Sequence, residues 1–418
     1  MPEPELASII SAGQAASVAV DIGDGIYLSG GISNSYLVTT SEGSLVVNSG
    51  MTDEGVRHLA RYRDVSDAPI RALVFTQSHV DHVGGWQAFA GRDVDIIVQS
   101  NFKDVRQYWN GLRGFYTMRS ARLWGIQLGP EMAANLETPP EPEPTVHFDD
   151  EYSFTLGDRR FDLYSTPGGE TLDSLVVWLP ESRTLFTGNL FGPLFGHVPN
   201  LYTIRGDKIR HAQSYIRAVD RVLALQPAVL ITGHGDPIHG EAEIASTLRK
   251  MRDAVQYLLD KTMEGMNHGL DVFTLMRGVT LPESLTLGEG HGKVSWNVRS
   301  IWEDHAGWFR YESTTELYSV APRAIWNDVL RLAGGPDGLI DAANDHLAQG
   351  RPVEALHLLD IALTDPTIAG LQTKRRALQQ LSDSSQRRNL SETRWLDSEI
   401  TAITTSIAGT TEKEGSQW

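Results

Sequence analysis

The segment Thr76-Gln-Ser-His-Val-Asp-His-Val-Gly-Gly85 concentrates side chains that can bind a metal ion. It places His79, Asp81 and His82 within four consecutive positions, directly after an apolar run, Ile70 to Phe75, that predicts a buried strand. Loops at strand ends are where rigid scaffolds place functional groups. Imidazole and carboxylate are ordinary ligands of divalent metals. The segment therefore predicts a metal site; the alternative is an Asp that caps a helix beside two surface histidines.

The composition limits the other chemistry that is available. The 418 residues include no cysteine, which excludes thiolate nucleophiles, disulfides and Cys-based zinc fingers. A formal net charge of −17 argues against nucleic-acid binding, because phosphate contacts need clustered Lys and Arg. An anionic substrate would need a local positive site, supplied by metal ions or a placed Arg.

The start of the chain and its apolar runs bear on location. Residues 1–6 are acidic and lack the basic start and apolar stretch of a signal peptide. No apolar run approaches the roughly 18 residues that a membrane span needs. We therefore expect a cytoplasmic protein without a membrane span.

Two runs of short strands, each with helices, fill the first part of the chain, and the second run includes a predicted helix from Lys208 to Leu225. This alternation predicts an α/β (α+β) protein with two stacked sheets and helices outside, an αββα sandwich. From residue 324 to 400 strand signals are absent and amphipathic helical pairs follow one another. We expect a catalytic domain at 1–243, a mostly α-helical domain at 244–405 and a disordered tail at 406–418.

The spacing of residues 77–82 resembles the His-x-His-x-Asp-His signature of the metallo-β-lactamase superfamily, with Gln77 where the first His is expected. Three landmarks follow in the family's order, in Thr166-Pro-Gly-Gly-Glu170, Phe186-Thr-Gly-Asn189 and Gly233-His234-Gly235. The resemblance implies the αββα fold. It also implies a metal-ligand set of Gln77, His79, Asp81, His82, Glu170, Asn189 and His234.

The chain is more similar to the alkylsulfatase branch of that superfamily. That branch uses Glu at the second landmark, as Glu170 does here, and carries an Asn-Leu-Tyr-Thr-Leu-Arg-Gly stretch that Asn200-Leu-Tyr-Thr-Ile-Arg-Gly206 matches almost letter for letter. In the family this stretch contributes to the sulfate pocket. The resemblance therefore implies substrate binding by Asn200, Tyr202, Thr203 and Arg205. Arg offers a charge-assisted fork to tetrahedral oxyanions; a loop whose Arg pairs with a surface acid is the alternative.

The stretch from Gly292 to Phe309 and the helical part after it resemble the dimerisation region of the same branch, which implies a homodimer. Trp296 stands there where alkylsulfatases have a His that acts on the leaving group, and Trp cannot transfer protons at neutral pH. We expect Trp296 to contact the substrate, unless the alignment is shifted by a few residues. His197 is expected to act as an acid or to line the pocket, and His291, flanked by glycines, to be structural.

Two substitutions weaken one half of the implied metal site. Gln77 offers only a neutral carbonyl oxygen, and Asn189 removes a negative charge that would lie between two dications. Asp81, His82 and His234 form a three-ligand set with one open position, the pattern of a catalytic zinc site. We expect one tightly bound zinc ion and a second that is weaker or conditional, with iron or manganese as alternatives.

The resulting hypothesis is a sulfuric ester hydrolase that acts on an alkyl sulfate or similar anionic ester with a hydrophobic part. A metal-bound hydroxide held beside Asp81 would attack, and Arg205 would stabilise the developing negative charge. Tyr108, Trp109 and Tyr116 are candidates for a hydrophobic channel, with core packing as the alternative. Three competing hypotheses remain open: hydrolysis of a carboxylic ester or lactone, a mononuclear oxygenase or lyase, and a non-catalytic dimeric relic.

Overall fold

The computed structural model describes residues 4–126, 128–208 and 210–415. The strands are β1 Val20–Asp21, β2 Ile26–Ser29, β3 Ser35–Thr40, β4 Gly43–Val47, β5 Ile70–Val74, β6 Asp95–Gln99, β7 Val146–Phe148, β8 Glu151–Leu156, β9 Arg159–Ser165, β10 Leu175–Leu179, β11 Thr184–Gly188, β12 Val229–Thr232 and β13 Ile238–His239.

The helices carry the outer layers and the C-terminal part. They are α1 Glu5–Ala15, α2 Gly55–Arg63, α3 Val80–Val83, α4 Phe102–Gly111, α5 Arg113–Leu123, α6 Pro130–Ala134, α7 Ala212–Leu225, α8 Glu241–Asn267, α9 Val272–Gly278, α10 Val294–Ala306, α11 Trp326–Leu332, α12 Asp337–Ala348, α13 Pro352–Ala362, α14 Ile368–Ser384 and α15 Leu390–Gly415.

The described strands form two sheets. A seven-stranded sheet has the order β1-β2-β3-β4-β5-β6-β7, and a six-stranded sheet has the order β13-β12-β11-β10-β9-β8. In the first sheet the strands from β4 to β7 are parallel, and in the second sheet β11 and β12 are parallel. Successive side chains of a strand point to opposite faces. Tyr36 and Val38 accordingly enter the core between the sheets, while Leu37 packs on the outer face.

Helices cover both outer faces. Tyr62 of α2 and Phe102 of α4 pack against the first sheet. On the second sheet α8 contacts β12 and β13, and α7 packs against α8. The layers are therefore αββα, which confirms the predicted fold class. None of the helices in the described residues combines the length and apolar character that crossing a membrane requires.

The chain divides into two compact units. The unit that holds both sheets comprises residues 5–117 and 130–305. It extends beyond the predicted boundary at residue 243 because α8 buries Ile244, Leu248 and Met251 within it. As a division between two family domains, the boundary at residue 243 stays a prediction.

The second unit contains residues 118–129 and the helices from residue 306 onward. Helices α12, α13 and α14 pack around Ala343, Leu359 and Ala377, which agrees with the predicted helical pairs. Residues 406–415 belong to α15, where the sequence predicted a disordered tail. The reason is that Ile403 and Ile407 continue the helical spacing and pack with α14. Residues 416–418 of that predicted tail lie outside the described residues.

Candidate metal centre

The predicted ligand residues follow strands whose carboxyl ends meet at one edge of the two sheets. Strand β9 runs in the same direction as β11, because both pair antiparallel with β10. Residues 77–82 follow β5, Glu170 follows β9, Asn189 follows β11 and His234 follows β12. The topology therefore brings together residues that are up to 157 positions apart in the printed sequence, from Gln77 to His234.

Glycine allows the motif loop to fold back onto the end of β4. A Cβ atom at Gly85 would lie 2.2 Å from the carbonyl oxygen of Ser49 and 2.6 Å from the Cα of Gly55. The backbone N–H of Ser49 donates a 2.7 Å hydrogen bond to the carbonyl of His82. The Gly-Gly ending of the motif thus fixes the position of α3, which carries Asp81 and His82.

Asp81, His82 and His234 come together at this edge. Nε2 of His82 lies 3.4 Å from Oδ2 of Asp81, and Nε2 of His234 lies 3.9 Å from the same oxygen. Among the described residues, these three are the group of His, Asp and Glu whose ligand atoms all lie within 4.8 Å of one another. Two imidazoles and a carboxylate around an open position are the donor set of a catalytic zinc site. We call these three residues the ligand cluster.

A backbone contact orients His234 toward the ligand cluster. Its Nδ1 lies 2.7 Å from the carbonyl oxygen of Ile32. A carbonyl only accepts, so Nδ1 carries the proton and Nε2 presents a lone pair toward Asp81. Such a contact on the distal nitrogen is typical of metal-ligating histidines.

Several buried atoms at the ligand cluster have no hydrogen-bond partner in the described part of the chain. They are both ring nitrogens of His82 and Oδ1 of Asn189. The Asn189 oxygen borders the His82 ring, since a Cβ at Gly233 would lie 2.3 Å from that oxygen and 2.8 Å from Cε1 of His82. Leaving a buried polar atom unpaired costs about 1–3 kcal/mol. The residues present fit a divalent cation, which would coordinate the one unprotonated nitrogen of the neutral His82 ring.

The protonation states also suit a cation. Burial would raise the pKa of Asp81, but His82, His234 and His79 outweigh it and lower that pKa to about 2. Burial lowers the pKa of His82 to about 4, against the opposing charge of Asp81. Burial also lowers the pKa of His234. At neutral pH the carboxylate is therefore ionised and both imidazoles are neutral.

Gln77 and His79 are joined by a hydrogen bond. The amide nitrogen of Gln77 lies 2.9 Å from Nδ1 of His79, and its amide oxygen accepts a 2.9 Å hydrogen bond from the backbone N–H of Asn189. A backbone N–H can only donate, which fixes which amide atom is the oxygen. The amide nitrogen of Gln77 therefore donates to His79, and Nδ1 is the unprotonated nitrogen of that ring.

Glu170 is held by an arginine that the sequence did not single out. Nη2 of Arg210 lies 2.9 Å from Oε1 of Glu170 and 3.9 Å from Oδ2 of Asp207. The His79 ring lies between the two acids, with Nδ1 3.5 Å from Oε1 of Glu170 and Nε2 3.5 Å from Oδ2 of Asp207. These side chains are at most 8% exposed. Together with Gln77 they form what we call the paired cluster.

The segment predicted to bind the anion forms a turn. The Thr203 hydroxyl donates a 3.0 Å hydrogen bond to the carbonyl of Gly206, and the Gly206 N–H donates one of 3.0 Å to the carbonyl of Thr203. Gly206 has a φ of +93°, which favours glycine. Asn200 and Thr203 are buried, and Tyr202 is exposed. The backbone carbonyl of Asn200 accepts from Arg210, while its buried side-chain oxygen has no hydrogen-bond partner among the described residues. Its contact with a substrate stays a prediction.

Arg205 and His291 lie within electrostatic range of the metal centre. The partly buried Arg205 places its positive charge where it acts on both Asp81 and Glu170. Burial lowers the pKa of His291 well below its usual range, with Arg205 and His234 among the groups that act in the same direction. The structural role expected for His291 stays a prediction.

His197 and Trp296 have other surroundings. Nδ1 of His197 accepts a 3.1 Å hydrogen bond from the N–H of Gly290, and its Nε2 lies 3.8 Å from Oε2 of Glu5. The loop of His197 forms a bridge with the backbone of Gly288, which turns the ring toward those glycines. The predicted catalytic role of His197 stays a prediction. Trp296 lies on α10, with Nζ of Lys293 5.7 Å from its ring centre, and its contact with a substrate stays a prediction.

An aromatic wall lies beside the paired cluster. The Trp109 ring stands edge-on to His79 with 5.5 Å between centroids, and its centroid is 4.4 Å from that of Tyr116. The hydroxyls of Tyr108 and Tyr116 are 2.6 Å apart. The three residues singled out as a hydrophobic channel therefore form one surface next to the metal centre.

Arg210 and Asp207 escaped the sequence argument because of a misplaced helix start. A helix from Lys208 would have directed both side chains around its first turn, but α7 begins at Ala212. Asp207 and Arg210 therefore precede the helix, and their side chains belong to the paired cluster. The sequence did contain a signal for them, since the opposite charges of Asp207 and Arg210 follow the stretch that ends at Gly206.

Comparisons with known proteins agree with this organisation. Residues 28–234 match the metallo-beta-lactamase superfamily, and residues 275–392 match the alkyl sulfatase dimerisation family. The chain is 30% identical over 338 residues to a linear primary-alkylsulfatase from Pseudomonas sp., a match that covers 75% of this chain and 63% of that protein.

Two further relatives point the same way. The chain is 24% identical over 347 residues to the alkyl/aryl-sulfatase BDS1 from Saccharomyces cerevisiae, covering 76% of this chain and 53% of that protein. The solved structure of the stereoselective inverting sec-alkylsulfatase Pisa1 from Pseudomonas sp. has a TM-score of 0.80 at 20% identity, covering 91% of this chain and 64% of that chain. The chain thus spans less than two thirds of the length of these relatives, and the structural likeness concerns the fold.

Proposed function

Since this chain belongs to the metallo-β-lactamase superfamily and carries an alkyl sulfatase dimerisation region, we propose that it hydrolyses alkyl sulfate esters with a bound divalent metal ion, zinc in the first place. The observation that carries the proposal is the ligand cluster, whose three ligand atoms lie within 4.8 Å of one another. The names of the sulfatase relatives support the sulfate ester as the substrate class. The unpaired buried atoms of His82 and Asn189 argue against a non-catalytic relic.

In this proposal Asp81, His82 and His234 would hold the cation and leave one position open, and the unpaired amide oxygen of Asn189 lies next to the His82 ring. When bound, the cation supplies Lewis acidity, which polarises an ester oxygen and lowers the pKa of water. The carbonyl of Ile32 holds the proton of His234 on Nδ1, so that Nε2 stays available.

The surroundings of the ligand cluster suit an alkyl sulfate. Arg205 supplies positive charge next to Asp81, and a guanidinium can donate two parallel hydrogen bonds to a sulfate group. The aromatic wall of Tyr108, Trp109 and Tyr116 offers apolar surface for an alkyl chain.

The test is a substrate panel with the purified zinc-loaded protein. Sulfate released from octyl sulfate is measured by ion chromatography, beside p-nitrophenyl acetate, a γ-lactone and bis(p-nitrophenyl) phosphate. We expect sulfate release that disappears after dialysis against a chelator and returns with zinc. An inert octyl sulfate beside rapid turnover of another ester would remove the substrate half of the proposal.

The two altered ligand positions support a second candidate function, the hydrolysis of a carboxylic ester or lactone. Gln77 and Asn189 depart from the family signature, which favours testing a carboxylic ester or lactone in the same panel. A mononuclear oxygenase or lyase differs in the metal it needs. Elemental analysis of protein purified without added metal distinguishes these: zinc supports hydrolysis, whereas iron would favour the oxygenase.

We also propose that the chain forms a homodimer through residues 306–332. Trp308, Tyr311 and Tyr318 are 73%, 88% and 68% exposed, and exposed apolar surface of this size marks interaction sites. The segment lies inside the region that matches the dimerisation family. Sedimentation equilibrium should give twice the 46.1 kDa chain mass. The double change Trp308→Ser and Tyr311→Ser should shift the mass toward one chain, while Val56→Ser, exposed on α2, should not.

A further inference from the structure

The paired cluster already contains a cation of its own. We propose that the guanidinium of Arg210 takes the place of a second metal ion, so that the protein binds one metal ion per chain and the residues Gln77, His79 and Glu170 bind none. This inference rests on the proposed metal-dependent hydrolase and specifies its metal content.

Both amide atoms of Gln77 and Nδ1 of His79 are already hydrogen-bonded, whereas Nε2 of His79 has no hydrogen-bond partner among the described residues. The amide oxygen of Gln77 accepts from the N–H of Asn189, and its amide nitrogen donates to Nδ1 of His79. With Nδ1 as acceptor, a neutral His79 carries its proton on Nε2, which faces Oδ2 of Asp207 at 3.5 Å. A metal ion at Nδ1 would have to displace the amide of Gln77 and break both of its hydrogen bonds.

Arg210 is fixed at three points. Nη2 donates to Oε1 of Glu170 at 2.9 Å, Nε donates to the backbone carbonyl of Glu170 at 2.9 Å, and Nη1 donates to the carbonyl of Asn200 at 2.6 Å. The side chain is 4% exposed. A planar guanidinium bound in this way is preorganised, and moving it aside would leave two buried carbonyls and a carboxylate unpaired.

The charges balance with one metal ion. Asp81, Glu170 and Asp207 carry three negative charges, which one dication and the guanidinium of Arg210 neutralise. A second dication would leave two uncompensated positive charges in a buried site, where isolated charge is costly. Arg205 lies at the partly exposed side of the site.

Titration of cobalt(II) into the metal-free protein tests the proposal, with visible absorption and isothermal calorimetry as readouts. The wild-type protein should saturate at one equivalent. The double variant Gln77→His, Asn189→Asp, which restores metal-binding side chains, should still saturate at one equivalent because Arg210 is present. Adding Arg210→Met to that double variant should raise the value to two.

Several outcomes would overturn the proposal. They are two tight equivalents in the wild-type protein, two in the double variant with Arg210 intact, or one in the triple variant. Arg252→Met, which removes a surface arginine paired with Asp220, is the matched control and should leave every value unchanged.

Folding is checked by far-ultraviolet circular dichroism. If the triple variant does not fold, Arg210→Gln replaces Arg210→Met, because Gln keeps a donor for the carbonyls of Glu170 and Asn200 without the charge. The same two equivalents are expected. The count is read without substrate, so inactivity toward alkyl sulfates would contradict the proposed function and leave the count intact. Two metal ions in an active sulfatase would contradict this inference alone.

Discussion

The two halves of the metal centre treat their buried polar atoms differently. In the ligand cluster, the ring nitrogens of His82 lack hydrogen-bond partners among the described residues. In the paired cluster, Gln77 bonds to His79, and Glu170 bonds to Arg210. Nε2 of His79 also lacks a hydrogen-bond partner among the described residues and lies 3.5 Å from Oδ2 of Asp207. The two halves therefore differ in how many of their donor atoms already bond within the protein. In our proposal this prior bonding, more than residue type, decides where a metal ion binds.

The largest expected difference between the two halves is in the amount of metal that the protein retains when one acidic residue of each half is replaced. Asp81→Asn removes the one charged side chain of the ligand cluster, so bound metal after desalting should fall from about one ion per chain to nearly none. The matched change Glu170→Gln should leave about one ion. Mass spectrometric metal analysis of both variants makes the comparison. Equal loss in both would show that the two halves do not differ in this respect.

The next effect concerns stability. Arg210→Met leaves Glu170 buried without its partner, and breaking a buried ion pair costs about 3–5 kcal/mol. Arg221→Met breaks ion pairs with Asp150 and Glu151, whose side chains are largely exposed, and should cost less than about 1 kcal/mol. Urea unfolding of the metal-free proteins measures both. Similar losses would mean that Arg210 contributes no more than a surface arginine.

A smaller effect is expected from the support of the ligand cluster. The hydroxyl of Ser33 donates to the backbone carbonyl of Asp81. Ser33→Ala should weaken metal binding roughly tenfold, the lower end for residues that orient metal ligands. Ser44→Ala is the control, because the buried Ser44 hydroxyl has no described partner. Competition with a chelating dye measures the affinity, and equal affinity in both variants would contradict the expectation.

The smallest expected effect is a difference between the two halves in the pH at which their carboxylates take up a proton. Burial raises the pKa of Glu170 despite Arg210 and His79, whereas the pKa of Asp81 is about 2. Asp81 stabilises the fold above its unfolded pKa, and this contribution is lost as pH falls through about 2. The contribution of Glu170 to the free energy of unfolding has the opposite sign. Because its pKa is raised, the ionised carboxylate destabilises the fold above that pKa, and protonation in acid removes this destabilisation.

Carbon-detected NMR of the metal-free protein follows both carboxyl groups as pH is lowered. Glu170→Gln and Asp81→Asn assign the two signals. We expect Glu170 to take up its proton first. The reverse order would mean that the surroundings of the two carboxylates have been assigned to the wrong halves.

The motif and the fold were accessible from the sequence because they depend on local pattern. Residues 77–82 and Gly84-Gly85 are close in sequence, and strand alternation predicted the two sheets. The role of Arg210 was not accessible, because it depends on where α7 begins and on a contact between residues 40 positions apart, Glu170 and Arg210. The cytoplasmic location stays a prediction.

Residue types and their order along the chain were enough to identify the αββα fold, the family and the three residues of the ligand cluster. The reason is that the apolar periodicity locates the strands, and the carboxyl ends of these strands meet at one edge in this topology. The tertiary structure alone decided that Gln77, His79 and Glu170 hydrogen bond within the protein. Whether a buried ligand atom is available to a metal ion depends on every hydrogen-bond partner within about 3 Å of it. Those atoms belong to residues such as Arg210, whose place beside Glu170 no local pattern shows.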